Sequence, residues 1–79
     1  MKVHLMIAEH YSNPGLVVRV CCTREKALSE ALVCVNIMLK DSDMKPVISE
    51  ADMQIAIKYL QDLHGAAHCY AEISEHEVI

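Results

Sequence analysis

Histidine and cysteine are the side chains of this sequence that could hold a metal ion. His64, His68 and Cys69 lie close together in the chain, with a spacing like that of metal ligands. A structural metal site needs three or four ligands that converge on one point. Gly65 favours a helix end between the two histidines, so they are not expected to share a helical face. We predict no metal site; a small ligand- or metal-binding protein that uses His64, His68 and Cys69 is the alternative.

The four cysteines show no pattern typical of redox, metal or catalytic chemistry. They are Cys21, Cys22, Cys34 and Cys69. No Cys-x-x-Cys pair occurs, and a nucleophilic thiol needs a base close to it. His68 precedes Cys69 directly, but neighbours in a strand point to opposite faces of the sheet. Free cysteine is commonly buried, so we interpret all four as small apolar side chains.

Carboxylates do acid–base work where they lie close together and are shielded from water. The candidates fall in two polar stretches, which are interpreted as solvated surface. They are Asp41, Asp43, Glu72, Glu75 and Glu77. A glycine-rich phosphate loop is excluded, because the chain has only two glycines. We therefore predict no enzymatic activity and no cofactor, and we predict that these five acidic residues contact a protein partner.

The composition sets the class of protein. The chain has 79 residues, of which 53% are hydrophobic and 23% charged, as expected for a single globular domain over residues 1–79. A net charge of −4, with neither Phe nor Trp, argues against direct binding of nucleic acid. No apolar run reaches the roughly 18–20 residues of a membrane span, and no signal-peptide pattern opens the chain. A cytoplasmic location is the resulting expectation.

Hydrophobic alternation predicts that the chain begins with a β-hairpin. Residues 2–10 alternate, with Val3, Leu5 and Ile7 on the side that is expected to be buried. A turn with Pro and Gly at residues 12–15 leads to a valine-rich second strand at residues 16–23. Alternation over residues 67–73 predicts a third strand.

Two helices are predicted between the hairpin and the third strand. Thr23 and Ser49 are the expected N-caps, and the helices are expected to run to about residues 40 and 63. Within the first helix, Asn36 is the only polar residue between positions 31 and 39. A helix with so few polar positions carries more apolar surface than one sheet face can cover.

The surplus apolar surface predicts self-association, because exposed apolar patches commonly mark interfaces. A two-fold homodimer would use the same helical surface twice. The residues predicted to form it are Val33, Ile37, Ile55 and Tyr59.

The element order ββααβ predicts an α+β fold, in which both helices pack on one face of a small three-stranded sheet. The sequence leaves open whether the third strand pairs with the first or with the second. The predicted core consists of Val3, Leu5, Ile7, Leu28, Leu32, Val35, Ile57, Leu60 and Ile73.

Four pieces of the sequence resemble small phage- and prophage-encoded accessory proteins. They are the opening Met-Lys-Val-His-Leu, the hairpin segment Ser-Asn-Pro-Gly-Leu-Val-Val, the helix start Thr-Arg-Glu-Lys-Ala and the closing Tyr-Ala-Glu-Ile-Ser-Glu-His-Glu. The resemblance implies a non-enzymatic protein that binds and blocks a protein of its bacterial host, as anti-CRISPR proteins do. The resemblance identifies no binding residue in this sequence.

Two hypotheses on function follow. The first is an inhibitor or adaptor that occludes a host protein, with its acidic residues facing a basic surface such as that of a nucleic-acid-binding complex. The second is the small ligand- or metal-binding protein, with enzymatic activity as a remote variant. A contiguous acidic or apolar patch favours the first, and a concave pocket with convergent polar groups favours the second.

Overall fold

The computed structural model describes residues 1–78, apart from the side chains of Asn13, Pro14 and His68. The predicted order ββααβ and the α+β class are confirmed. The elements are β1 (Lys2–His10), β2 (Asn13–Cys21), α1 (Arg24–Asp41), α2 (Glu50–His64) and β3 (Tyr70–Glu77), with one turn of 3₁₀ helix at Ala66–His68 before β3.

The three strands form one antiparallel sheet in the order β2-β1-β3, so the third strand pairs with the first. In the middle of the sheet, Met6 of β1 lies between Arg19 of β2 and Ile73 of β3. Because β3 runs in the same direction as β2, only pairing with β1 gives an antiparallel ladder. Strand direction therefore explains the pairing that the sequence left open.

Both helices begin at the predicted caps. The hydroxyl of Thr23 accepts from the Lys26 amide at 3.1 Å, and the hydroxyl of Ser49 accepts from the Asp52 amide at 3.2 Å. Each bond satisfies one amide that a helix start leaves without an intrahelical partner.

A bidentate ion pair joins the first turns of the two helices. Both terminal nitrogens of Arg24 donate to the carboxylate of Glu50. Hydrogen bonding to Arg24 holds the pKa of Glu50 below its usual value. The pair sets the start of α2 beside the start of α1.

The prediction of which face of β1 is buried is wrong. Met6 and Ala8 are the buried residues of β1, at 0% and 2% exposure, and they pack in the core with both helices. Successive strand residues point to opposite faces, so Val3, Leu5 and Ile7 lie on the side that no helix covers. They are half-buried there and do not belong to the core.

Close packing of α1 on the sheet explains this error. Ala8 and Ala71 on the sheet, and Ala27 and Ala31 on the helix, are all buried. Small side chains at a contact let the two backbones approach, and densely packed interiors require such matching. Hydrophobic alternation favours the face with the larger aliphatic side chains, and here that is the uncovered face.

Three predicted core residues are buried: Val35, Ile57 and Leu60. Three more, Leu28, Leu32 and Ile73, are partly buried and pack against the core. Because α1 is apolar on most sides, periodicity did not define its buried stripe. The core also contains residues that the prediction omitted, namely Met6, Ala8, Cys21, Ala27, Ala31, Met38, Leu39, Met53, Cys69 and Ala71.

Candidate protein-binding surfaces

The four residues predicted for self-association are exposed on the outer side of the helix layer. Val33 and Ile37 of α1 are 56% and 52% exposed, and Ile55 and Tyr59 of α2 are 68% and 54% exposed. Each pair lines a shallow hollow, of about 450 Å³ on α1 and about 370 Å³ on α2. Met44 contributes to both hollows. The structure therefore places the two pairs on either side of the α1–α2 loop.

The α1–α2 loop is fixed by the one polar residue of the apolar run in α1. The side-chain amide of Asn36 donates to the carbonyl of Val47 at 2.9 Å, and its oxygen accepts from the Val47 amide at 2.9 Å. The Met44 amide donates to the Leu39 carbonyl at 2.8 Å. Residues 44–48, which we call the loop ridge, are thus held between the two hollows.

Replacing Asn36 with Asp is expected to release the loop ridge. The carboxylate cannot donate to the Val47 carbonyl. It would place a carboxylate oxygen, which is an acceptor, next to that carbonyl oxygen, which is also an acceptor. We expect a loss of about 1–3 kcal/mol in the free energy of unfolding, measured by urea denaturation, and faster hydrogen exchange of the Val47 amide. Gln54→Glu, on the exposed side of α2, makes the same change of charge and should keep wild-type values. Unchanged exchange at Val47 in Asn36→Asp would contradict the role of Asn36.

The predicted acidic surface is divided between the two ends of the sheet. Asp41 lies at the His10 end of β1. Glu75 and Glu77 lie beside Lys2 at the other end, with the Glu75 carboxylate 3.7 Å from the Lys2 ammonium. Eight residue steps of a strand separate these ends by about 26 Å. The acidic residues do not form one patch.

The carboxylate of Asp41 belongs to a polar contact between the end of α1 and the β1–β2 turn. His10 Nε2 lies 2.8 Å from Asp41 Oδ2. The Ser12 amide donates to His10 Nδ1 at 3.0 Å, so the neutral ring carries its proton on Nε2 and donates it to Asp41. Asp43, with a left-handed φ of 58°, follows in the turn after α1.

A second contact at this end joins the β1–β2 turn to both helix ends. The Tyr11 hydroxyl lies 2.8 Å from Ser42 Oγ, and the Tyr11 ring stacks on His64 with centroids 3.6 Å apart. Ser42 Oγ lies 3.3 Å from His64 Nε2. A serine beside a histidine could form a nucleophile–base pair if a third group oriented the histidine. The contacts of Tyr11, Ser42 and His64 fasten the ends of the two helices to each other and to the β1–β2 turn.

Of the three suggested metal ligands, the structure describes the side chains of His64 and Cys69, which lie in different surroundings. Cys69 is fully buried, with its sulfur 3.7 Å from the Met38 sulfur, and burial raises the pKa of its thiol. His64 is exposed at the end of α2 and contacts Ser42. The side chain of His68 lies outside the described part of the chain.

The sheet side opposite the helices is a surface that the sequence analysis missed, and we call it the open sheet face. From β2, Leu16, Val18 and Val20 lie there, at 60%, 47% and 68% exposure. The paired register places these side chains beside Leu5 and Ile7 of β1. On β3 the open sheet face carries Tyr70, Glu72, Ser74 and His76. The alternation of β2 was the signal that could have found this surface.

Comparison with known proteins gives no match to this chain among protein-family models, curated proteins or solved structures. In residues 1–78, neither helix has the length and hydropathy that crossing a lipid bilayer requires.

Proposed function

We propose that this chain is a non-enzymatic protein-binding module that acts by occluding a surface of its partner. The observation that carries the proposal is the loop ridge, which Asn36 fixes between two hollows with apolar walls. A surface that is already ordered loses little conformational entropy on binding, so its contacts contribute more to affinity.

The composition of this surface is typical of a binding site. Tyr59 and Ile55 line one hollow, and Ile48 on the loop ridge is 90% exposed. Aromatic residues in such positions often dominate binding energy. Lys40 and Lys45 stand at the edges of the hollows, as polar rims do in interfaces. The partner that fits this surface inserts apolar side chains into the hollows.

The shapes of the hollows favour a protein partner over a small ligand. A more enclosed hollow between the sheet and α1 has a volume of only about 140 Å³. Small-molecule sites have volumes of roughly 300–1,000 Å³ and contain a few convergent polar groups. The two hollows of the helix layer are larger but shallow, and apolar side chains form most of their walls.

We further propose that the partner is a bacterial host protein and that the chain inhibits it in the cytoplasm, as anti-CRISPR proteins do. This part of the proposal rests on the sequence resemblance. A net charge of −4 supports an approach to a basic surface, such as that of a nucleic-acid-binding complex. Complementary charge of this kind speeds and orients the encounter more than it tightens the complex.

The test is capture of partners from a bacterial lysate by the tagged full chain, followed by affinity measurements on variants. Tyr59→Ala is expected to weaken binding by about 30-fold, the effect of losing a central aromatic contact. Lys58→Ala removes the exposed neighbour on α2 and should bind like the wild type. Equal binding by Tyr59→Ala and the wild type would show that the helix layer is not the binding site.

A charge reversal tests the acidic residues separately. Changing Glu72, Glu75 and Glu77 to Lys is expected to slow association at low salt, with a smaller effect at high salt because salt screens exposed charges. An unchanged association rate at low salt would show that the acidic residues do not contribute to association. The Tyr59→Ala measurement would be unaffected by that result.

A further inference from the structure

The sheet turns Met6 and two alanines towards the helices and a row of branched aliphatic side chains of β2 outwards. Ala8 and Ala71 are buried on the side of the sheet that faces the helices, whereas Leu16, Val18 and Val20 are exposed on the open sheet face. A sheet that is apolar on both faces is typical of the inner layer of a packed assembly. The open sheet face thus lacks the cover that the helices give to the other side.

We infer that a second copy of this chain packs on the open sheet face, sheet against sheet, with the helices on the outside. The open-face side chains from Val3 to Ile7 and from Leu16 to Val20 are all aliphatic. Glu9 ends the β1 row opposite Leu16, and the side chains before it in both rows form an apolar surface that an apolar partner surface fits. A second copy supplies an apolar stripe of the same width, as an isologous interface requires.

The strand order decides how two copies can meet. A two-fold axis perpendicular to the strands places β1 and β2 of one copy over β1 and β2 of the other. An axis parallel to the strands would instead place the β2 valines over β3, which carries Glu72 on this face. The perpendicular axis keeps the apolar rows together and leaves the polar β3 row at one side of the interface.

The charges of the β3 row are complementary under the same symmetry. Leu5 is the middle residue of the aliphatic β1 row and pairs with Ser74 of β3. Glu72 and His76 lie on either side of Ser74 on the open sheet face. An axis through Leu5 therefore brings Glu72 of one copy towards His76 of the other. The pairing sets opposite charges, or a carboxylate and an imidazole donor, across the interface.

The size of the face indicates a reversible dimer. Two strands of nine residues and one of eight, spaced by about 4.8 Å and rising about 3.3 Å per residue, cover roughly 400 Å² per copy. The pair would bury about 800 Å², which is small for a specific interface and typical of weak association. Each copy also carries a net charge of −4. Salt should strengthen the dimer, because it screens this repulsion.

Sedimentation equilibrium of the full chain, from micromolar to near-millimolar concentration, tests the inference. The mass is expected to rise from 8.9 kDa towards twice that value. Val18→Lys should raise the dimer dissociation constant by about 100-fold, because it buries an unpaired ammonium in the interface. The matched control is Val33→Lys, which makes the same change at 56% exposure on α1 and should dimerise like the wild type.

Three outcomes would overturn the inference: a wild-type chain that stays monomeric throughout, a folded Val18→Lys that dimerises normally, or loss of the dimer in Val33→Lys alone. Val20→Lys is a second variant at a more exposed position and should act like Val18→Lys. Far-UV circular dichroism confirms that each variant is folded. Val18 and Val20 line neither hollow of the helix layer, so the dimer and the proposed partner site can fail independently.

Discussion

Replacing Met6 with Lys is expected to leave the chain largely unfolded at room temperature. Met6 is 0% exposed in the central strand, and the buried core in the described residues contains no polar or charged side chain. An unpaired charge in such a core costs about 3–5 kcal/mol. A single core in a domain of this size rarely supplies more than about 3–5 kcal/mol of net stability. Far-UV circular dichroism and thermal melting measure the result.

Val20→Lys is the matched control for this prediction. Val20 lies on the neighbouring strand, on the opposite side of the sheet, and is 68% exposed. At low micromolar concentration, below the range in which the dimer is expected, this variant should melt at the wild-type temperature. A cooperative transition near the wild-type temperature in Met6→Lys would show that the two sheet faces are assigned the wrong way round.

Leu60→Ala is expected to lower the free energy of unfolding by about 2–5 kcal/mol. Leu60 is 0% exposed and packs from α2 into the core between the helices and the sheet. The loss combines the transfer energy of the deleted atoms with the cavity that they leave. Urea denaturation measures it, with the slope of the transition compared between variants.

The same substitution three residues further along α2 gives the control. Leu63 is 56% exposed, so Leu63→Ala should cost less than about 1 kcal/mol. If the two variants lose equal stability, the buried side of α2 differs from the one described.

Local signals in the sequence predicted the elements well. The predicted turn at residues 12–15 is wrong, because His10 already pairs with Asn13 and the turn lies at Tyr11 and Ser12. The caps at Thr23 and Ser49 and the helix end at Gly65 each depend on a few neighbouring residues. Hydrogen bonds of the two cap hydroxyls and the positive φ of 95° at Gly65 confirm those assignments. Such signals are independent of the residues that pack on the other side of the core.

Features that depend on tertiary contacts were not predictable in this way. Val3, Leu5 and Ile7 were assigned to the core because they are more apolar than the residues between them. The close approach of α1 instead selects the side with Met6 and Ala8. The sequence also did not indicate that Asp41 lies at one end of the sheet and Glu75 and Glu77 at the other.

The candidate site was predicted in part. Apolar surplus identified Val33, Ile37 and Tyr59 as exposed residues, because a helix that is apolar on most sides cannot bury them all. Asn36 stood out as polar, but its hydrogen bonds to Val47 join residues eleven positions apart. The sequence offered no pattern that pairs a helical side chain with a loop backbone at that separation.

The position of β1 at the centre of the sheet has a consequence for folding. Its pairing with β3 joins residues as far apart as Lys2 and Glu77. At a synthesis rate of roughly 5–20 residues per second, β3 is made several seconds after the hairpin, and the edge of β1 that pairs with β3 is unpaired during that time. Contacts over such long separations also slow folding, because a long loop must close before they form. Until β3 pairs with β1, the hairpin is therefore a two-stranded ribbon with an apolar face and an unpaired edge of β1, an arrangement prone to intermolecular strand pairing.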